Sequence, residues 1–148
     1  MLQGLIKAFM PPKKMIDMFT YNVKSSQSIK EITERAPILF EKYKFSLLHT
    51  YNYHEIVESN GFPIQRKVFI YEICQARPAS IMLTEHPYFS IFMPCKVVVY
   101  EENEKVLIST MDMKIMLNAV KTNKELYKDA VNLFETMKSL MMELSKNE

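Results

Sequence analysis

Met93-Pro94-Cys95-Lys96-Val97-Val98-Val99-Tyr100-Glu101-Glu102 is the most strand-like stretch of the chain. β-Branched and aromatic residues dominate it, no glycine interrupts it, and its one proline stands at the start, where a missing ladder N–H is tolerated. Glu101-Glu102-Asn103-Glu104 then forms a polar turn, and Lys105-Val106-Leu107-Ile108-Ser109-Thr110 returns as a second strand, so the two make a β-hairpin. The hairpin sets an antiparallel sheet, and the remaining elements are read outward from it.

Upstream, Phe89 to Phe92 lead into the Met93 strand. Pro78 suits the first turn of a brief helix over Ala79–Glu85, which His86-Pro87 stops. Lys67–Cys74 is a third strand of the sheet. Asn52 with Glu55 opens a short helix through Val57 that Asn60-Gly61 ends, since both residues tolerate the left-handed conformation. Phe45–Tyr51 reads as a strand with Phe45, Leu47, His49 and Tyr51 on one face. Ser28 and Glu31 form a capping box before a helical stripe of Ile29, Ile32, Ala36, Leu39, Phe40 and Tyr43, and Pro37 is expected to kink or split that helix near Thr33. Met15–Val23 is the first strand, with Phe19, Tyr21 and Val23 aligned.

Downstream, the pattern turns helical at Asp112, in a short piece holding Ile115, Met116, Ala119 and Val120. After a Thr122-x-x-Glu125 capping box comes a long helix whose stripe is Leu126, Ala130, Leu133, Phe134, Met137, Leu140, Met141 and Leu144, at spacings of three and four. Only a sheet offers that stripe enough surface. The expectation is an α+β fold of two layers, an antiparallel five-stranded sheet with helices on one face and a long closing helix.

At 148 residues the chain is one domain's length, enough to bury a core without metal or disulfide. It is 48% apolar and 24% charged, as soluble globular chains are. Its 19 basic and 17 acidic residues are scattered and net +2, which argues against phosphate-backbone binding and hence against nucleic acid as a partner. Residues 1–14 read as an amphipathic segment, and 15–148 as the single domain. In the first ten residues Lys7 interrupts the apolar run and Pro11-Pro12-Lys13-Lys14 follows, unlike a secretory leader. That segment docks on this chain or a partner, or touches a membrane surface. No apolar run approaches the length of a transmembrane span, so the expected location is cytoplasmic.

Several of these residues carry a resemblance. Phe45-x-x-Leu48-His49, Ile73-Cys74, Pro87 and above all Met93-Pro94-Cys95-x-Val97-Val98-Val99-Tyr100-Glu101, with the cysteines 21 residues apart, resemble the signature of the DUF302 family, over roughly Met15 to Asn123. The resemblance implies a TBP-like β-α-β-β-β-β-α order with a curved sheet, a homodimer, and no established activity. Four positions depart from that pattern: Cys-Asn-Pro reads Cys74-Gln75-Ala76, and glycines are replaced by Ser90 and by Lys44.

Candidate chemistry is sparse. Two cysteines make no disulfide framework, and no closely spaced Cys/His cluster suits a metal. Cys74 closes one strand and Cys95 opens the next, which brings both thiols to the same end of an antiparallel pair. They are packed as small hydrophobes, or form a redox or sulfur-handling pair, for which Arg77 and Lys96 are candidate cations, or make an intramolecular disulfide or metal site. His49 is expected to face the start of the neighbouring strand and not Cys74. Glu72 shares a face with Val68, Ile70 and Cys74, and needs a partner if that face is covered. His54 and His86, at helix ends, are expected in solvent. There is no nucleophile elbow, phosphate loop or other catalytic motif, and no cofactor is assigned. The 12 methionines fill core gaps under the long helix or mark an adaptable surface, and Met142 is assigned to a dimer contact. Two functions follow from these residues. One is a homodimeric binding or accessory domain with an apolar small-ligand pocket between sheet and closing helix. The other is a thiol-dependent redox or sulfur-transfer factor using Cys74 and Cys95.

Overall fold

The computed structural model describes residues 10–147, so the reading of the first nine residues lies outside the described part. The hairpin forms as expected from β4 (Cys95–Glu102) and β5 (Lys105–Met111), with Glu102 paired to Lys105. Asn103 and Glu104 both have positive φ (50° and 62°), the two-residue turn whose twist matches that of paired strands. With β1 (Thr20–Ser25), β2 (Ser46–Asn52) and β3 (Val68–Cys74) they form one antiparallel sheet in the order β1-β5-β4-β3-β2. β4 is therefore the central strand.

Met15 does not belong to β1, because Pro12 at the first helical position, with its preset φ, starts a short helix α1 (Pro12–Asp17). Ser28 caps α2 (Ile29–Lys42): its hydroxyl accepts from the Glu31 N–H at 3.2 Å, and the Glu31 carboxylate accepts from the Ser28 N–H at 2.8 Å. Pro37 neither splits nor ends this helix. It lies on the exposed side of α2, and Thr33, whose carbonyl loses its donor, is itself only half-buried.

The end of α2 explains one departure from the family pattern. Phe45 N–H donates to the Phe40 carbonyl (2.8 Å) and Lys44 N–H to the Glu41 carbonyl (2.9 Å), with Lys44 at φ 65°. This termination motif wants glycine, and here a lysine stands in the left-handed region. Lys44→Gly is expected to raise the urea-unfolding free energy by roughly 0.5–1 kcal/mol, after subtracting glycine's greater unfolded-state entropy. No gain would mean that the αL conformation costs nothing at this position. Gly61 ends α3 (Tyr53–Ser59) in the same way, as the sequence suggests.

α4 (Ala76–Glu85) begins before Pro78, and Phe89 to Phe92 form the last four residues of a 3-10 helix (Pro87–Phe92) instead of extending the sheet. Gln75 occupies the N-cap of α4 without making a side-chain cap bond. An Asn-Pro pair at positions 75 and 76 would supply a cap and a first-turn proline, so a structural role accounts for that family element. α5 (Lys114–Ala119) follows β5. Asn123, one residue after the expected Thr122, caps α6 (Lys124–Leu144) by accepting from the Leu126 N–H at 3.1 Å.

α2 and α6 cover one face of the sheet. Ile32, Phe40, Ile73, Val97, Val99, Ile108, Leu140, Met141 and Leu144 meet there, each shielded from solvent. Three side chains from elsewhere in the chain grip the C-terminal turn of α6. Ser25 donates to the Ser145 carbonyl (2.8 Å), Gln27 to Leu144 (3.1 Å), and Arg35 to Lys146 (2.7 Å) and Glu143 (3.3 Å). Among the described residues no helix is long and apolar enough to cross a membrane.

Candidate functional site

The second face of the sheet carries no α2 or α6, and an irregularity in β2 decides what stands on it. Ser46 pairs with Cys74 and Leu47 with Ile73, but the register then slips at Leu48, so that His49 pairs with Glu72 and Tyr51 with Ile70. One extra residue in a strand reverses the face of everything beyond it. His49 and Tyr51 thus leave the face of Phe45 and Leu47. The expectation that His49 stands away from Cys74 is corrected: it lies directly across from Glu72, whose next neighbour on that face is Cys74.

His49, Glu72 and Lys96 consequently form a row across three strands, since Glu72 also pairs with Lys96, and Tyr51 follows His49 on the same face. The nearby Glu72 carboxylate raises the pKa of the Tyr51 phenol, and the His49 and Tyr51 rings stand 4.3 Å apart between centroids. Glu72 therefore lies on the face that α2 and α6 leave open, between His49 and Lys96. His54, expected in solvent, is instead part-buried, with Nδ1 within hydrogen-bonding distance of the Val68 backbone (3.1 Å to the carbonyl oxygen, 3.2 Å to the amide nitrogen). His86 keeps an exposed contact with the Tyr88 hydroxyl at 2.9 Å.

The thiols do share one end of the β3–β4 pair, as the antiparallel topology requires. Cys95 pairs with Ile73, which assigns Cys95 to the helix-covered face and Cys74, one residue further, to the open one. Both are free, and both border one opening with Leu48, Leu83 and Pro94. Burial foremost, with the neighbouring Cys74 second and Lys96 weakly opposing, pushes the Cys95 thiol up to about 11. Arg77 is engaged elsewhere, 3.4 Å from Asp129 and 3.6 Å from Glu125 of α6. Among the described residues no group of three or more His, Cys, Asp or Glu side chains is placed to hold a metal ion.

Concavities occur on both sides of the sheet. Beneath α6 the space amounts to about 40 Å³, between Met82, Phe89, Cys95, Met116, Val120 and Ala130, room for a water or two. A groove of about 590 Å³ lies on the open face. Its floor is Lys96, Val98, Ser109 and Met111, and its walls are Ile16 and Phe19 at one side and Phe92 and Met116 at the other. Of these the sequence singles out only Lys96, and that as a cation for a two-thiol site. The available signal was Val97-Val98-Val99, apolar on both parities of a central strand, which indicates that neither face is plain solvent.

This architecture has a solved counterpart. The crystal structure of the uncharacterized conserved protein DUF302 from Bacillus stearothermophilus is similar at 26% sequence identity and a TM-score of 0.73, over 87% of this chain and 99% of that one. No curated protein matches. The chain matches the family described as domain of unknown function DUF302 over residues 21–144, from β1 to the last turn of α6. With that match spanning the whole β-α-β-β-β-β-α frame, this chain belongs to the DUF302 family.

Proposed function

We propose that this protein is a cytoplasmic, homodimeric binding domain, formed by residues 15–148, that takes an apolar small ligand in the open-face groove and not beneath the closing helix. The groove carries the reading: its volume of about 590 Å³ falls in the range of small-molecule sites, and apolar side chains dominate its lining. The void under α6, at about 40 Å³, is too small for such a ligand. Free cysteines suit a reducing compartment. For the dimer, the support is Tyr88, Ile91 and Phe92, which leave 64%, 80% and 44% of their surface in solvent on one six-residue helix. An apolar cluster of that kind marks a contact surface more often than isolated exposed residues do. Met142 on α6 is exposed as well.

Nile red, a neutral apolar dye, is expected to bind the full chain saturably, and Met111→Glu, a charge placed on the groove floor, to weaken it at least tenfold. Equal binding by the variant would place the dye elsewhere and count against the groove. Light scattering at micromolar protein is expected to return twice the mass of the chain, and a monomer would remove the dimer.

The thiol-dependent alternative has less support, because a thiol pushed up to about 11 is a poor nucleophile near neutrality. At pH 8 such a thiol is about 0.1% ionised, against roughly a quarter for an ordinary cysteine. In a Cys74→Ser variant, alkylation of Cys95 by iodoacetamide is expected to accelerate about tenfold per pH unit up to about pH 10. A plateau below pH 9 would restore the thiol reading.

A further inference from the structure

The groove also shows what its ligand should carry at one end. Its lining includes five polar side chains, and four are already engaged. Thr20 donates to the Ile16 carbonyl (3.1 Å) and accepts from the Asn22 amide (2.9 Å). Ser109 donates to the Asn22 side-chain oxygen (2.5 Å), and Thr110 to the Lys96 carbonyl (2.7 Å). Asp112 accepts from the Lys114 N–H (3.0 Å), with the Lys114 ammonium 3.6 Å away.

The fifth is Lys96. Its ammonium has three donors, and the polar contact it makes is a long one, 3.4 Å to the Pro94 carbonyl. Glu72 pairs with Lys96 across the ladder, but among the described residues no carboxylate lies within 4.0 Å of the Lys96 ammonium. Lys96 therefore lends its stem to an apolar groove and carries an exposed ammonium with unfilled donors at the groove's edge, toward Pro94.

We propose that the ligand is a linear amphiphile with one carboxylate, its head on Lys96 and its tail along Val98 and Met111 toward Phe19. Charge complementarity selects this occupant. A neutral apolar molecule leaves the ammonium unused, and a doubly charged phosphate head would need a second cation, whereas the other charged group on the lining is the Asp112 carboxylate, already bound to Lys114. The inference rests on the groove reading, and its test separates the two.

Decanoate and 1-decanol share a chain and differ in the head. Their binding to the full-length protein is compared by displacement of Nile red at low salt, below the concentration at which either aggregates. Decanoate is expected to bind at least tenfold tighter, with an advantage that shrinks as salt is added. Lys96→Met is expected to bring decanoate down to the affinity of decanol, and Lys96→Arg to restore the preference, which shows that the charge and not the fold was lost. Equal affinities in the natural chain, or a preference that survives Lys96→Met, overturn the carboxylate assignment and leave the groove standing. Displacement by neither compound overturns both.

Discussion

Phe40→Ala is expected to destabilise the domain by about 3–5 kcal/mol. Phe40 has no solvent exposure, meets Tyr71 of β3 edge-on at 5.2 Å between ring centroids, and lies in the core shared by α2, α6 and the sheet. Its carbonyl also receives the Phe45 N–H that turns the chain from α2 toward β2. Alanine leaves a void that rigid neighbours on three sides cannot close. Since small domains are stable by only about 5–15 kcal/mol, the variant should unfold at much lower urea with an unchanged m-value. A loss below about 1.5 kcal/mol would show that the core collapses around the missing ring.

Arg35→Met is expected to cost about 1.5–3 kcal/mol, the range for hydrogen bonds to a charged group. The guanidinium is half-buried and bonds to the Lys146 and Glu143 carbonyls and to the Gln27 side chain (2.9 Å), so it supplies both donors and positive charge where α6 ends. Methionine keeps much of the stem and removes those donors. Hydrogen exchange should then quicken at the amides of the last turn of α6 before any other part of that helix. Uniform acceleration along α6 would mean that the substitution weakened the core and not the clamp.

Much of this frame is legible in the residues. The hairpin follows from a valine run, a polar turn and a second apolar run, and the stripe of α6 from spacings of three and four, of which Met137, Leu140, Met141 and Leu144 reach the sheet while Leu126 and Ala130 pack with Phe89 and Val120. The Ser28–Glu31 capping box appears with both of its bonds. Boundaries suffered where proline admits two outcomes. Pro12 and Pro87 each opened a helical turn in segments that alternation favoured as strand, while Pro37 was tolerated because its side of α2 is exposed.

The candidate site was far less legible. A one-residue slip at Leu48 has no mark in the sequence, yet it moves His49 and Tyr51 to the other face and joins them to Glu72. Periodicity describes one strand at a time, whereas register belongs to the pair. The groove is harder still, because its floor comes from β4 and β5 and its walls from α1, the 3-10 helix and α5. Lys96 reads in sequence as a candidate cation for the thiols; only the pairing of the strands places it beside the groove.

The central claim is that an apolar ligand sits on the open face of the sheet. Amide chemical-shift mapping of the full chain with 1-decanol, which is neutral and so independent of the Lys96 proposal, tests it most directly. The account predicts saturable shifts at Phe19, Lys96, Val98, Ser109 and Met111, with little change at Val120, Ala130 and Phe134. Shifts concentrated at Val120 and Ala130 would put the ligand beneath α6, and a spectrum that does not respond to decanol would contradict the binding function.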